Sequence, residues 1–168
     1  MFVNFNDLPN NSRVWIYQAE REFSTEEAAL VEQLLRQFVS QWEAHQHPLQ
    51  ASYQLRYQRF IILCVNPDFY TPSGCSIDTS VALIRQIEQH FGVKLFDRLT
   101  LAFWENNEVK TLKSKDLKAK IAQGEFGVDT IIFDNTVQDK ASLDASWQVP
   151  ASKSWVAKYW TVPIETQA

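Results

Sequence analysis

The chain has 168 residues, 45% of them hydrophobic, with Trp 6, Phe 11 and Tyr 5, and a formal net charge of −4. That length and apolar content suffice for a real core and exclude a disordered chain. The acidic balance argues against a general nucleic-acid binder, Cys 2 makes no disulfide framework, and the longest apolar run, Phe60 to Val65, is too short to span a bilayer.

One α+β domain is expected over 1–168, with an arm (1–12), a core (13–136) and a docking tail (137–168). A cytoplasmic location is expected, because residues 1–12 lack the basic-then-apolar order of a signal peptide. The arm carries Asp7, Pro9, Asn10 and Asn11, with Phe2 and Phe5 placed to tuck it onto the body. Arg13 to Gln18 is β-branched and aromatic and reads as a strand. Ser24 precedes Glu27 by three residues, the spacing of a capping box. The helix that follows places Val31, Leu34, Leu35, Phe38 and Trp42 on one face. It is expected to end near His45, since Pro48 cannot continue it.

Tyr53, Leu55 and Tyr57 alternate with Ser52, Gln54 and Arg56, the pattern of a half-buried strand. Phe60 to Val65 is apolar throughout and needs cover on both faces, with Cys64 in the core. Asn66-Pro67-Asp68 ends it. A second helix carries Ile77, Val81, Ile84, Ile87 and Phe91 on one stripe and stops at Gly92. Leu99 to Trp104 reads as a strand, Asn106-Asn107 as a turn, and Val109 to Leu112 as its return. Ser114 can cap a short helix that stops at Gly124, and Thr130 to Asp134 is a last strand. From Val137 the pattern is lost. The tail holds Trp147, Trp155, Tyr159 and Trp160, with Pro150 and Pro163, and docks either on its own domain or on a partner.

The order β-α-β-β-α-β over residues 13–104 is that of a ferredoxin-like core, with the later strands as an extension. An α/β sheet with helices on both faces is the alternative. The ferredoxin-like path brings Trp42, His45 and His47 to the same rim as Ser73 to Asp78, with Trp104 and Glu105 nearby.

That rim is where chemistry is expected. Ser73 and Ser76 are both good N-cap types, and Asp78 and Thr79 are expected in the first helical turn. Cys75 then lies at or just before a helix N-terminus, where free N–H groups and the helix dipole favour a thiolate or a bound anion. Ser73, Gly74, Cys75, Ser76, Asp78 and Trp42 are the candidate ligand-binding residues, for a small anionic ligand or a protein partner. Cys75 with His45 or His47 is the candidate nucleophile–base pair of a thiol-dependent enzyme, with Asp78 placed to orient the His. A mixed metal site of His45, His47, Cys75 and Asp78 lacks paired-ligand spacing, so no metal is assigned. The chain has neither a Gly-x4-Gly-Lys-Ser/Thr run nor a Gly-x-Gly-x-x-Gly, and no cofactor is implied. Lys110, Lys113, Lys115, Lys118 and Lys120 form a basic cluster, read as a solvated face or as a contact for an acidic partner or RNA. A homodimer is a further possible assembly.

Several blocks resemble an uncharacterised family of small Bacteroidetes proteins. They are Ser12-Arg13-Val14-Trp15-Ile16-Tyr17-Gln18, Trp42-x-x-His45, Ser73-Gly74-Cys75-Ser76-Ile77-Asp78 and Trp147-x-Val149-Pro150-Ala151-Ser152-x-Ser154-Trp155. Members often carry the label "ABC transporter ATPase". This sequence does not support that label, since it has no phosphate-binding loop, Walker B acid or signature motif. The resemblance implies no catalytic residues. Where members often have Trp-His in the tail, this chain has Trp155-Val156.

Overall fold

The computed structural model describes residues 1–160. In chain order its strands and helices are β1 (Arg13–Gln18), α1 (Thr25–Gln41), β2 (Glu43–Ala44), β3 (His47–Pro48), β4 (Ala51–Arg56), β5 (Phe60–Val65), α2 (Gly74–Phe91), β6 (Thr100–Glu105), β7 (Glu108–Lys113), α3 (Leu117–Ala122), β8 (Ile131–Phe133), α4 (Lys140–Ser146) and β9 (Gln148–Pro150). Helices and antiparallel sheets together make an α+β protein. Its chain divides into two compact units, 1–97 with 135–145, and 98–134 with the chain from 146.

In the first unit β5 is the middle of a three-stranded antiparallel sheet of order β1-β5-β4. Its unbroken apolar sequence suits a strand covered on both faces. Ile61, Leu63 and Val65 share one core with Val31, Leu35 and Val39 of α1 and Ile84 and Ile87 of α2. Phe60, Ile62 and Cys64, on the other face, are equally buried. The returning segment 135–145 is tied to β1 and its approach. Val14 N–H donates to the Gln138 carbonyl (3.0 Å) and Lys140 N–H to the Ser12 carbonyl (2.8 Å).

The order β1-β5-β4 is what the split βαβ pattern asks of its first three strands. The fourth departs from it. β6 lies in a second sheet, of order β7-β6-β8-β9. Asn106 and Asn107, both left-handed (φ 51° and 61°), close a tight hairpin that pairs β6 with β7 over six residues. β8 takes the other edge of β6. β6 thus has β7 along one side and β8 at Phe103 on the other, and β1 is not among its partners.

The helices largely follow their local signals. The Ser24 hydroxyl accepts from Glu27 N–H (3.1 Å), and the Glu27 carboxylate accepts from Ser24 N–H (2.9 Å). Arg21 forks onto the same carboxylate. That ion-paired hydrogen bond, then the Ser24 N–H, holds the Glu27 carboxyl down to about 2. Two expectations are corrected. Leu34 is 36% exposed rather than on the buried face of α1. The helix ends at Gln41, because Trp42 is already extended (φ −68°, ψ 128°). His45 and Gln46 then turn left-handed (φ 51° and 64°) to close the small β2–β3 hairpin.

Gln46 is poorly suited to its left-handed position, which costs a residue with a Cβ about 1–2 kcal/mol. Gln46→Gly is therefore expected to raise stability by about 0.5–1 kcal/mol, after its entropic cost in the unfolded chain. Thermal unfolding checks this. A lower midpoint would mean that the turn is not under strain.

The second unit has its own core of Leu101, Phe103, Leu117, Phe126, Ile132, Ala151 and Val156. The tail supplies much of it. β9 pairs with β8, Trp147 is buried against Phe133 (ring centroids 4.9 Å apart), and Trp160 stacks on Phe126 (6.2 Å). Trp155 alone among these tryptophans is 40% exposed. Residues 161–168 of the anticipated tail, Pro163 among them, lie outside the described residues. The expected Ser114 cap is corrected as well. Its hydroxyl bonds the Leu99 carbonyl (3.0 Å), and Gly124, at φ 73°, follows the end of α3.

Candidate functional site

The start of α2 is built by two serines. The Ser73 hydroxyl accepts from Ser76 N–H (3.1 Å) and the Ser76 hydroxyl from Ser73 N–H (2.8 Å). This reciprocal box starts the helix at Gly74, three residues before the apolar stripe begins. Cys75 is therefore inside the first turn, and Asp78 and Thr79 fall beyond it, which corrects their expected places. The helix N-terminus leaves early N–H groups without helical acceptors. The box takes that of Ser76, while no hydrogen bond within the described residues closes on those of Gly74 and Cys75. Gly74 and Cys75 are exposed, and a Cβ added at Gly74 would meet nothing within 4 Å.

Trp42 anchors this helix start. Its indole Nε1–H donates to the Ser76 carbonyl (2.8 Å), in a buried bond. Its ring packs on Phe38 (5.0 Å between centroids) and edge-on to Trp15 (5.9 Å). The end of α1 and the start of α2 thus meet, as the chain path requires. His47 stacks on Tyr70 (4.6 Å) in the loop leading to α2. His45 stands exposed at the tip of the β2–β3 hairpin and makes no hydrogen bond, ion pair or ring contact among the described residues. The structure therefore brings Trp42 to Ser76 and Ser73 to Ser76, and no hydrogen bond joins His45 to Cys75 among the described residues. Asp78 is exposed and makes no hydrogen bond or ion pair to a histidine among the described residues. Trp104 and Glu105 belong to the second unit and to its own sheet.

The two thiols differ sharply. Cys64 is fully buried on β5, whereas Cys75 is exposed. Burial pushes the Cys64 thiol up to about 12, and the neighbouring Ser12 hydroxyl and Lys140 ammonium only partly oppose it. No group of three or more His, Cys, Asp or Glu side chains is placed to hold a metal ion among the described residues. No helix among them is long and apolar enough to cross a membrane. In the lysine cluster, Lys110 pairs with Glu108 (2.6 Å) and Lys120 with Glu125 (3.0 Å), so part of its charge is met within the chain.

A second feature did not emerge from motifs. Two open hollows flank β4. One, of about 490 Å³, is lined by Phe2, Phe5, Glu32 and Ser52 to Arg56. The other, of about 460 Å³, lies between Tyr53 and the α1 residues Glu32, Gln33, Arg36 and Gln37. The alternation of residues 52–57 was the available signal, since it marks an edge strand. No protein-family model, curated protein or solved structure matches the chain.

Proposed function

We propose that the protein is a non-catalytic binding protein that takes a small anionic ligand, a carboxylate or phosphate, at the start of α2. On this reading the ferredoxin-like β1-α1-β4-β5-α2 part of the first unit is a rigid platform for the site. The observation that carries the reading is the open first turn of an 18-residue helix. The serine box satisfies its own two donors, while the N–H groups of Gly74 and Cys75 face solvent at the positive end of the dipole. Trp42 holds that turn in place from below.

Gly74→Asp tests it. The added side chain meets open space, and an acid in the first turn suits the dipole, so the fold is kept. The same carboxylate repels an anion from the site. Titration with inorganic phosphate, followed by amide resonances, is expected to shift Gly74 and Cys75 in the native chain. Gly74→Asp is expected to weaken that response tenfold or more. No shift at Gly74 and Cys75 would overturn the reading.

The exposed Cys75 thiol is the one observation in favour of thiol-dependent catalysis. That alternative requires His45 to act on the sulfur. His45→Ala is expected to leave the alkylation rate of Cys75 within about twofold, because no hydrogen bond joins the two residues among those described. A tenfold fall would favour the enzyme.

A further inference from the structure

The open edge of β4 has a definite pattern. Ala51 turns its main chain outward, since its N–H donates to the Met1 carbonyl (3.1 Å) and its carbonyl accepts from Val3 N–H (2.9 Å). Outward and inward groups alternate along a strand, so Tyr53 and Leu55 point outward too. The arm makes only that one bridge to the edge among the described residues, and its Phe5 then packs beside β4 under Arg56 (5.6 Å) without pairing to the strand. No hydrogen bond from outside the sheet closes on Tyr53 or Leu55 among the described residues. Beside this edge, α1 presents Glu32 and, one turn later, Arg36, both exposed. Arg36 lies over the Phe2 ring (4.1 Å), and among the described residues neither it nor Glu32 makes an ion pair.

We propose that a second copy of this chain docks on the β4 edge, antiparallel about a two-fold axis at Gln54. This goes beyond the ligand site at α2 and uses none of its residues. Tyr53 then faces Leu55 of the second copy, and Leu55 faces its Tyr53. Each facing pair exchanges both main-chain bonds, which gives four in all. The two three-stranded sheets become one of six strands. The same axis reverses α1, so Glu32 of each copy meets Arg36 of the other, and two unpaired charges on one flank become two ion pairs. That self-complementary charge pattern selects a second copy over an unrelated strand. The register also sets Ser52, whose buried hydroxyl has no partner among the described residues, opposite Arg56 of the second copy.

Sedimentation over a concentration series into the hundreds of micromolar tests it. The native chain is expected to approach twice its 19.5 kDa mass. Glu32→Arg sets like charges face to face across the axis, and so does Arg36→Glu. Each alone is expected to weaken association tenfold or more. An equimolar mixture of the two variants restores both ion pairs and is expected to dimerise, as is the double reversal in one chain. Both positions are on the surface, and far-UV circular dichroism checks that each variant folds. Amide exchange of Tyr53 and Leu55 is expected to slow as dimer forms. A chain that stays monomeric throughout, including one that takes an unrelated extended peptide on this edge, would overturn the proposal. So would a dimer indifferent to both single reversals.

Discussion

Trp42→Ala is expected to cost the first unit about 3–5 kcal/mol, a large part of what a domain of this size has to lose. Trp42 is only 2% exposed, and its ring fills the space between Phe38 and Trp15. Truncation removes that packing and leaves a cavity where α1 ends and α2 begins. The indole bond to the Ser76 carbonyl goes as well. That carbonyl lies in the first turn of a helix and keeps its helical partner, so the polar share is small. Trp42→Phe isolates it and is expected to cost about 1 kcal/mol beyond the smaller ring. Urea unfolding followed by far-UV circular dichroism gives both values, and the backbone signal avoids the six tryptophans of the chain. A loss below about 1 kcal/mol for Trp42→Ala would mean that the helix start is held by something other than this anchor. The phosphate response at Gly74 is expected to weaken in parallel, because an anion site at a helix start depends on that turn being ordered.

The anchor also shows what kind of information the chain carries locally. The Ser24 box was readable because Ser and Glu lie three residues apart, whereas Ser73 and Ser76 read only as N-cap types and their reciprocal box did not. β5 was readable because six apolar residues in a row suit few other places. The meeting of Trp42 with Ser76 followed from the path β1-α1-β4-β5-α2 alone. The end of α1 was not readable. Apolar spacing runs through Trp42, and the turn that stops it is made by His45 and Gln46, which carry no turn signature. That turn puts His45 at a hairpin tip, where no hydrogen bond joins it to Cys75 among the described residues. The sheet to which β6 belongs was equally hidden. A strand's sequence reports burial and alternation, not its partner, and β7 and β8, the partners of β6, come later in the chain. β9 and α4 are too short for periodicity to mark, although Trp147 between them is among the largest buried side chains of the protein.

Iodoacetamide is expected to add once to the native protein, at Cys75, with the second adduct arriving only on unfolding. Cys75 is exposed in the first turn of α2. Cys64 is 0% exposed on the central strand, beside Val14 and Ser52 of its neighbours. Reagent reaches it only through opening of the sheet, so its rate should fall roughly a thousandfold or more below that of Cys75. Intact mass with Cys75→Ser as the control reads this directly, and a native-state double adduct would remove β5 from the centre of the sheet. The same burial makes a prediction about alkaline pH. Burial, the largest cause, raises the Cys64 thiol from an ordinary value of 9.0 to about 12. The unfolded chain therefore releases this proton first. The stability tied to the neutral thiol is fully present below about pH 9 and is lost as pH rises toward 12. The slope is about 1.4 kcal/mol per pH unit for one proton, a few kcal/mol over the whole window. Cys64→Ala is expected to flatten stability against pH between those limits while lowering it at neutral pH by the methyl-sized cavity it leaves. If the native chain and Cys64→Ala lose stability in parallel above pH 9, the thiol is not held neutral by the core, and its place on β5 is wrong.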